Sequence, residues 1–142
     1  MTERLLVPYD GSPLAERALA HVAEKYPDAN VTLLYVVDPV GVVYEAEAHG
    51  LPDAETWHER ATEEAEEALA EAAATLADAG CEVETVVETG HPSREILAYV
   101  ADHDIDHVTM GSHGRSGVSR LLLGSTAERV LRRSPVPVTI VR

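Results

Sequence analysis

The segment Val31-Thr-Leu-Leu-Tyr-Val-Val37 is apolar along its whole length apart from one threonine. It is too short to cross a membrane as a helix. A run of this length, rich in valine and leucine, is typical of a strand that is buried on both faces of a parallel sheet. Because parallel strands are joined by crossover connections, such a sheet carries helices on both faces. The segment therefore predicts an α/β fold.

Strand-like and helix-like segments alternate on both sides of this run. Ser12-Pro13 is predicted to start the first helix, and Gly80 to close the second. Ser93 is expected to cap the third helix, and a capping box from Ser125 to Glu128 to start the fourth at the last glycine. The predicted strands are 4–9, 31–37, 82–88, 107–110 and 136–141. The predicted helices are 13–26, 57–79, 94–101 and 125–133, with a long irregular connection over 38–56. This order predicts one doubly wound domain over residues 1–142, with five parallel strands and right-handed crossovers.

Length and composition narrow the class of protein. The 142 residues are enough for one domain with a substantial core. The sequence contains no apolar run of 18 residues, and Met-Thr-Glu-Arg leads directly into the first predicted strand, so neither a membrane span nor a signal peptide is expected. The single cysteine, Cys81, has no partner for an internal disulfide. Together these features predict a cytoplasmic protein.

The formal charge of −14 is unevenly distributed. Residues 45–88 contain fourteen acidic residues and one arginine, whereas residues 89–142 contain seven arginines and five acidic residues. The overall charge disfavours nucleic-acid binding, and the mildly basic C-terminal third can still attract an anion. Strong acidity with only one lysine against ten arginines also predicts a halophilic source, because concentrated salt screens self-repulsion.

A glycine-rich stretch from Met110 to Thr126 follows the fourth predicted strand and leads into the last helix. Glycines let a loop bring its backbone N–H groups close to a ligand, and a helix N-terminus attracts phosphate. The stretch lacks the lysine of a P-loop, and it does not follow the first strand as a dinucleotide fingerprint would. Its spacing is Gly111-x-x-Gly114, nine residues, then Gly124-Ser125. The stretch predicts a phosphate-binding loop of a less common kind.

Taken with Val7-Pro8-Tyr9-Asp10-Gly11-Ser12 and the closing Pro135-Val-Pro-Val-Thr-Ile-Val141, this spacing resembles the ATP-binding branch of the universal stress protein family. The resemblance covers nearly the whole chain. It implies an adenine nucleotide alpha hydrolase-like sheet of order 3-2-1-4-5, with its switch point between strands one and four. It also implies a cytoplasmic stress-response protein that binds ATP, accompanied by Mg²⁺, and that regulates without rapid turnover.

The switch point and the resemblance together indicate one crevice beyond the carboxyl ends of the strands. Asp10 would accept a hydrogen bond from adenine or from a ribose hydroxyl, Val36 would pack on adenine, and Arg115 would contact phosphate. Core packing for Val36 and helix capping for Ser125 are the competing interpretations. The predicted nucleotide-binding residues are Pro8, Tyr9, Asp10, Val36, Met110, Gly111, Gly114, Arg115, Gly124, Ser125 and Thr126. No catalytic residue and no protein-held metal site is predicted; the series from His103 to His107 is rejected as a metal site because it lies at a helix-to-strand turn.

Two other functions stay open. A genuine Mg²⁺-dependent ATPase or phosphotransferase would use Asp10 and His113, and turnover of about 1 s⁻¹ or more would favour it over slow hydrolysis. A nucleotide-free dimerisation module is disfavoured by the intact glycine spacing. In each case the prolines of the last strand place it at a sheet edge, where strands 136–141 of two copies are expected to pair into a homodimer.

Overall fold

The computed structural model describes residues 2–40, 47–48, 50, 54–114 and 123–142. Within these ranges the chain forms five strands that alternate with four helices. Residues 39–40 and 47–48 are also helical, so the connection predicted to be irregular over 38–56 is helical in part. The strands are β1 (Arg4–Pro8), β2 (Asn30–Val37), β3 (Glu82–Thr89), β4 (His107–Gly111) and β5 (Val138–Val141). The helices are α1 (Pro13–Lys25), α2 (Ala54–Asp78), α3 (Pro92–Asp102) and α4 (Ser125–Arg133).

The five strands form one parallel sheet in the order β3-β2-β1-β4-β5. Strand β1 lies at the centre, where Leu5 pairs with Val31 of β2 on one side and with His107 of β4 on the other. The α/β class and the strand order are confirmed. The direction of winding reverses between β1 and β4, so the crevice of this fold lies beyond the carboxyl ends of those two strands.

Alternate side chains of the strands feed two cores, one on each face of the sheet. On the first face, Leu5 and Val7 of β1 pack with the buried sides of α1 and α2. On the second face, Leu6 of β1 and Leu34 of β2 pack with α3 and α4. Burial of β2 on both faces is the reason that Val31–Val37 lacks polar alternation.

The start of α1 agrees with its sequence. Ser12 adopts an extended conformation, and its hydroxyl accepts a hydrogen bond from the Ala15 N–H, while Pro13 occupies the first helical position. Gly80 follows α2 at φ +98°, a left-handed conformation that favours glycine. A side chain there would also place its Cβ 2.8 Å from the Pro27 carbonyl oxygen.

Two predicted helix caps and one strand boundary are wrong. His91, not Ser93, is the N-cap of α3, because Pro92 already supplies the first helical residue and Ser93 lies one position further on, fully buried. Gly124, not Ser125, is the N-cap of α4, because the Gly124 carbonyl accepts the Glu128 N–H at 2.9 Å. Strand β5 starts at Val138 rather than at residue 136.

No helix in the described ranges is long and apolar enough to span a membrane.

Candidate functional site

The turn between β1 and α1 is fixed at several successive residues. The Tyr9 N–H donates to the Leu34 carbonyl at 2.9 Å, which ties the end of β1 to β2. The Asp10 Oδ1 accepts the Ser12 N–H at 2.9 Å, and Gly11 between them has φ +76°. An Asp-Gly pair suits this turn, because Asp accepts from the backbone two residues on and glycine adopts positive φ without a steric cost. The turn presents Asp10 at the carboxyl end of the central strand.

The Tyr9 side chain points away from the crevice into the first core, where it is buried. Its hydroxyl donates a hydrogen bond to the Glu16 carboxylate in the first turns of α1. Burial, followed by this hydrogen bond, raises the pKa of the Tyr9 phenol well above its ordinary value of 10.0. The negative charges of Glu71 and Asp10 act in the same direction. Tyr9 is therefore a neutral hydrogen-bond donor. Its backbone, and not its side chain, lies at the crevice.

The loop after β4 meets the turn after β1 at Gly114. A Cβ added to Gly114 would lie 2.7 Å from the Asp10 Oδ2. Gly114 does not have positive φ, so backbone handedness does not require a glycine here, and a side chain would instead push the Asp10 carboxylate aside. The structure thus brings together Asp10 and Gly114, which are more than a hundred residues apart in sequence.

Gly111 has a packing role that its motif position does not indicate. A Cβ there would lie 2.9 Å from the Leu14 carbonyl carbon and 3.0 Å from its oxygen. The first turn of α1 therefore packs directly on the end of β4, and Gly111 leaves the space for it. This contact is structural, and it sets how closely α1 approaches the floor of the crevice.

Gly124 closes the loop that follows β4. Its N–H donates to the Ser112 carbonyl at 2.8 Å, and an added Cβ would lie 2.8 Å from the same oxygen. Ser112 is buried, its N–H donates to the Val141 carbonyl, and its hydroxyl lies 3.2 Å from the His113 Nδ1. The sequence did not point to Ser112, because its role depends on burial and on backbone hydrogen bonds, and neither can be inferred from the residue type. The result is a loop whose two ends are held together at the base of α4.

The N-terminus of α4 opens on this loop. Its N-cap is a glycine, which has no side chain to cap the helix. Ser125, at the first helical position, is exposed, and Thr126 is half-buried. The first backbone N–H groups of a helix have no partner within the helix, and the helix dipole places partial positive charge there. Glu128, the expected capping partner, pairs instead with Arg132 at 3.0 Å. This end of α4 is suited to bind an anion.

The remaining predicted residues lie around the same edge of the sheet or outside the described residues. Pro8 ends β1 and is half-buried. Met110 near the end of β4 is buried in the second core, and Val36 near the end of β2 is half-buried against that core. Arg115 falls outside the described residues. Asp10, Val36, Gly114, Ser125 and Thr126 are each at least partly exposed at this edge of the sheet, so their positions suit direct contact with a ligand.

Charge is segregated between the two faces of the sheet. Helix α2 contains eight acidic residues and one arginine, and it packs on the first face. Helix α4 contains three arginines and one glutamate, and it packs on the second face. The helix that points its N-terminus at the crevice is therefore the basic one, which favours an anionic ligand despite the overall charge.

The residues from His103 to His107 have structural partners at the opposite, amino edge of the sheet. The His103 ring stacks on Tyr99 with 3.7 Å between centroids. The Asp106 Oδ2 accepts the Arg4 N–H at 2.9 Å, and the His107 Nε2 lies 2.7 Å from the Thr139 hydroxyl. The described residues contain no group of three or more ligating side chains placed to hold a metal ion.

Comparison with known proteins places this geometry in a family. The sequence profile of the Universal stress protein family matches residues 1–142. Universal stress protein MJ0531 of Methanocaldococcus jannaschii is 33% identical over 146 residues, which cover 99% of this chain and 82% of the relative. MJ0577 of the same organism is 31% identical over 161 residues, which cover 100% of this chain and 96% of the relative.

Solved structures agree in fold. The structure of MJ0577 superposes with a TM-score of 0.85 at 32% identity, covering 99% of this chain and 96% of the other. Two more distant members share the fold with TM-scores of 0.69, one in complex with cAMP at 22% identity and one from Archaeoglobus fulgidus in complex with dAMP at 20%. They cover 99% and 100% of this chain, and 96% and 98% of their own. Fold, loop geometry and sequence together lead to one conclusion: the chain belongs to the universal stress protein family.

Proposed function

We propose that this protein binds ATP in the crevice between the ends of β1 and β4 and acts as a nucleotide-dependent stress-response regulator without rapid turnover. The observation that carries the proposal is the approach of Gly114 to Asp10, where an added Cβ would lie 2.7 Å from the carboxylate. This approach joins the two loops at the switch point, where open α/β sheets bind their ligands. Distant members of the family that carry cAMP or dAMP add support for an adenine nucleotide.

Each part of the nucleotide has a matching group in the proposed mode. The phosphates would lie over the N-terminus of α4, where backbone N–H groups and the hydroxyls of Ser125 and Thr126 donate hydrogen bonds. The Asp10 carboxylate would accept a hydrogen bond from a ribose hydroxyl, and Val36 would contact adenine. Mg²⁺ would accompany the phosphates, because this ion usually binds through phosphate oxygens and few carboxylates.

The groups that fast phosphoryl transfer requires are not evident in the sequence. Such catalysis uses a lysine clamp or paired metal-binding carboxylates around the phosphates. Lys25, the only lysine of the chain, lies in the last turn of α1, at the end away from the crevice. We therefore assign the protein to regulation, and a turnover number well below about 1 s⁻¹ is expected.

The proposal includes a homodimer formed through β5. This strand pairs with β4 on one side and ends the sheet, and all four of its residues are half-buried. An exposed edge presents unpaired backbone groups that a second copy can pair across a two-fold axis.

Calorimetric titration with ATP and Mg²⁺ at high salt tests the nucleotide site. Asp10→Asn removes the charge but keeps an oxygen for the Ser12 N–H, so we expect a folded protein with affinity reduced about tenfold or more. Asp106→Asn is the matched control, because Asp106 also accepts a backbone N–H but lies at the opposite edge of the sheet. Absence of binding to the folded wild type, or equal affinity in both variants, would contradict the proposal.

A further inference from the structure

The Tyr9–Glu16 hydrogen bond lies directly behind the residue proposed to contact the nucleotide. Tyr9 is 5% exposed, and its hydroxyl donates to a carboxylate of α1. Tyr9 precedes Asp10 in the chain, and Glu16 belongs to the helix whose N-cap, Ser12, binds the Asp10 carboxylate through its backbone N–H. The Tyr9 phenol and the Asp10 carboxylate are therefore both held between the end of β1 and the start of α1.

We infer that Tyr9 and Glu16 are a positioning pair that holds Asp10 in the geometry required to bind the nucleotide. This inference rests on the proposed function, since Asp10 must contact the ligand for its position to matter. The pair fixes the separation between the end of β1 and the first turns of α1. That separation sets where the Asp10 carboxylate stands relative to Gly114.

Two hydrogen bonds and the conformation of one glycine define the turn. The Tyr9 N–H is bonded to Leu34, the Asp10 Oδ1 is bonded to the Ser12 N–H, and Gly11 takes a left-handed conformation. Because glycine gives up more conformational freedom than any other residue, Gly11 alone would leave the turn mobile. The buried ring of Tyr9 and its bond to Glu16 supply a rigid support on the side of the turn that faces the core.

The surroundings of the phenol determine which group donates in this hydrogen bond. Burial and then the hydrogen bond to Glu16 raise the pKa of the phenol, and the charges of Glu71 and Asp10 act in the same direction, so the phenol stays protonated and donates. Glu16 is exposed and stands near the N-terminus of α1, where the helix dipole stabilises its negative charge. A neutral donor and a charged acceptor form a hydrogen bond stronger than one between neutral groups.

A double-mutant cycle on ATP affinity tests the inference, because a residue that acts through Asp10 has no effect once Asp10 is altered. Tyr9→Phe keeps the ring but removes the donor, so we expect ATP to bind about tenfold more weakly. In the Asp10→Asn background the same change should cost less than about twofold. Glu16→Ala should reproduce the tenfold loss, and Glu16→Gln should restore most of the affinity, because its side-chain oxygen still accepts.

Two control variants separate positioning from general packing. Tyr26→Phe removes a hydroxyl from a tyrosine that packs on the same core but lies at the far end of α1. Glu71→Gln removes a negative charge near the Tyr9 phenol and leaves Glu16, the hydrogen-bond acceptor, in place. Both should bind ATP as the wild type does. Equal losses from Tyr9→Phe in the two backgrounds, or wild-type affinity in Tyr9→Phe and Glu16→Ala, would overturn the inference alone. A folded wild type that binds no ATP would instead overturn the proposed function.

Discussion

Gly111 should be a determinant of stability rather than of affinity. In Gly111→Ala the new Cβ would lie 2.9 Å from the Leu14 carbonyl carbon and Cβ, and 3.0 Å from its carbonyl oxygen. Two of these atoms are backbone, so the first turn of α1 must move away from β4. Overpacking of this kind costs about 1–3 kcal/mol. Alanine offsets about 0.4–1 kcal/mol of that by restricting the unfolded chain. The midpoints of these two ranges give an expected net loss of about 1.3 kcal/mol in the free energy of unfolding.

The matched control is Gly114→Ala. Its added Cβ would meet only the end of the Asp10 side chain, at 2.7 Å, and a side-chain end can rotate away. We expect its stability to change by less than about 0.5 kcal/mol, whereas its affinity for ATP falls because the carboxylate is displaced. Urea unfolding at constant salt measures both variants, and melting temperatures should follow at about 4 °C per kcal/mol. If Gly111→Ala is as stable as the wild type, or Gly114→Ala is the less stable of the two, the packing argument is refuted.

Three further predictions concern pH, assembly and salt. Because the pKa of Tyr9 is raised on folding, the wild type should lose stability as pH rises above the unfolded value of about 10, and Tyr9→Phe should lack this loss in alkaline unfolding. Val138→Asp should weaken the dimer without abolishing the fold, and an unchanged sedimentation coefficient would contradict pairing through β5. Stability should fall from molar salt to about 0.1 M as the Debye length grows from about 3 to about 10 Å, and full stability at low salt would count against a halophilic origin.

The arrangement of strands and helices could be predicted because burial leaves a direct trace in sequence. The apolar run Val31–Val37 indicated a strand covered on both faces, and the structure places it second in the sheet. Periodicity left the strand order open, and the family resemblance supplied it. The N-caps were harder to predict. Ser93 and Ser125 were the expected N-caps, but Pro92 sets the start of α3 and the Gly124 carbonyl sets that of α4.

The glycine motif shows what sequence spacing leaves out. Its pattern treats Gly111, Gly114 and Gly124 as equivalent, but an added side chain would meet backbone atoms at Gly111 and Gly124 and only the end of a side chain at Gly114. Their near neighbours are Leu14, Asp10 and Ser112 respectively, and the first two lie about a hundred residues away in the chain. Only the fold brings them together, so sequence alone could not separate structural glycines from one that faces a ligand.

Tyr9 illustrates the same limit for a side chain. Its position beside Asp10 predicted contact with the nucleotide, whereas its ring is buried in the first core and bonded to Glu16. The glutamate lies seven residues further along, in the first turn of a helix, and a separation of that kind has no signature in periodicity. The pair became visible only once α1 was seen packed beside β1.

The most direct test of a nucleotide site at the switch point is an NMR titration of backbone amides with ATP and Mg²⁺ at high salt. We expect the largest shifts to fall on Asp10, Gly114, Ser125 and Thr126, while amides at the amino edge, such as Asp106 and His107, stay unchanged. Shifts concentrated at the amino edge, or none at saturating ATP in the folded protein, would contradict it.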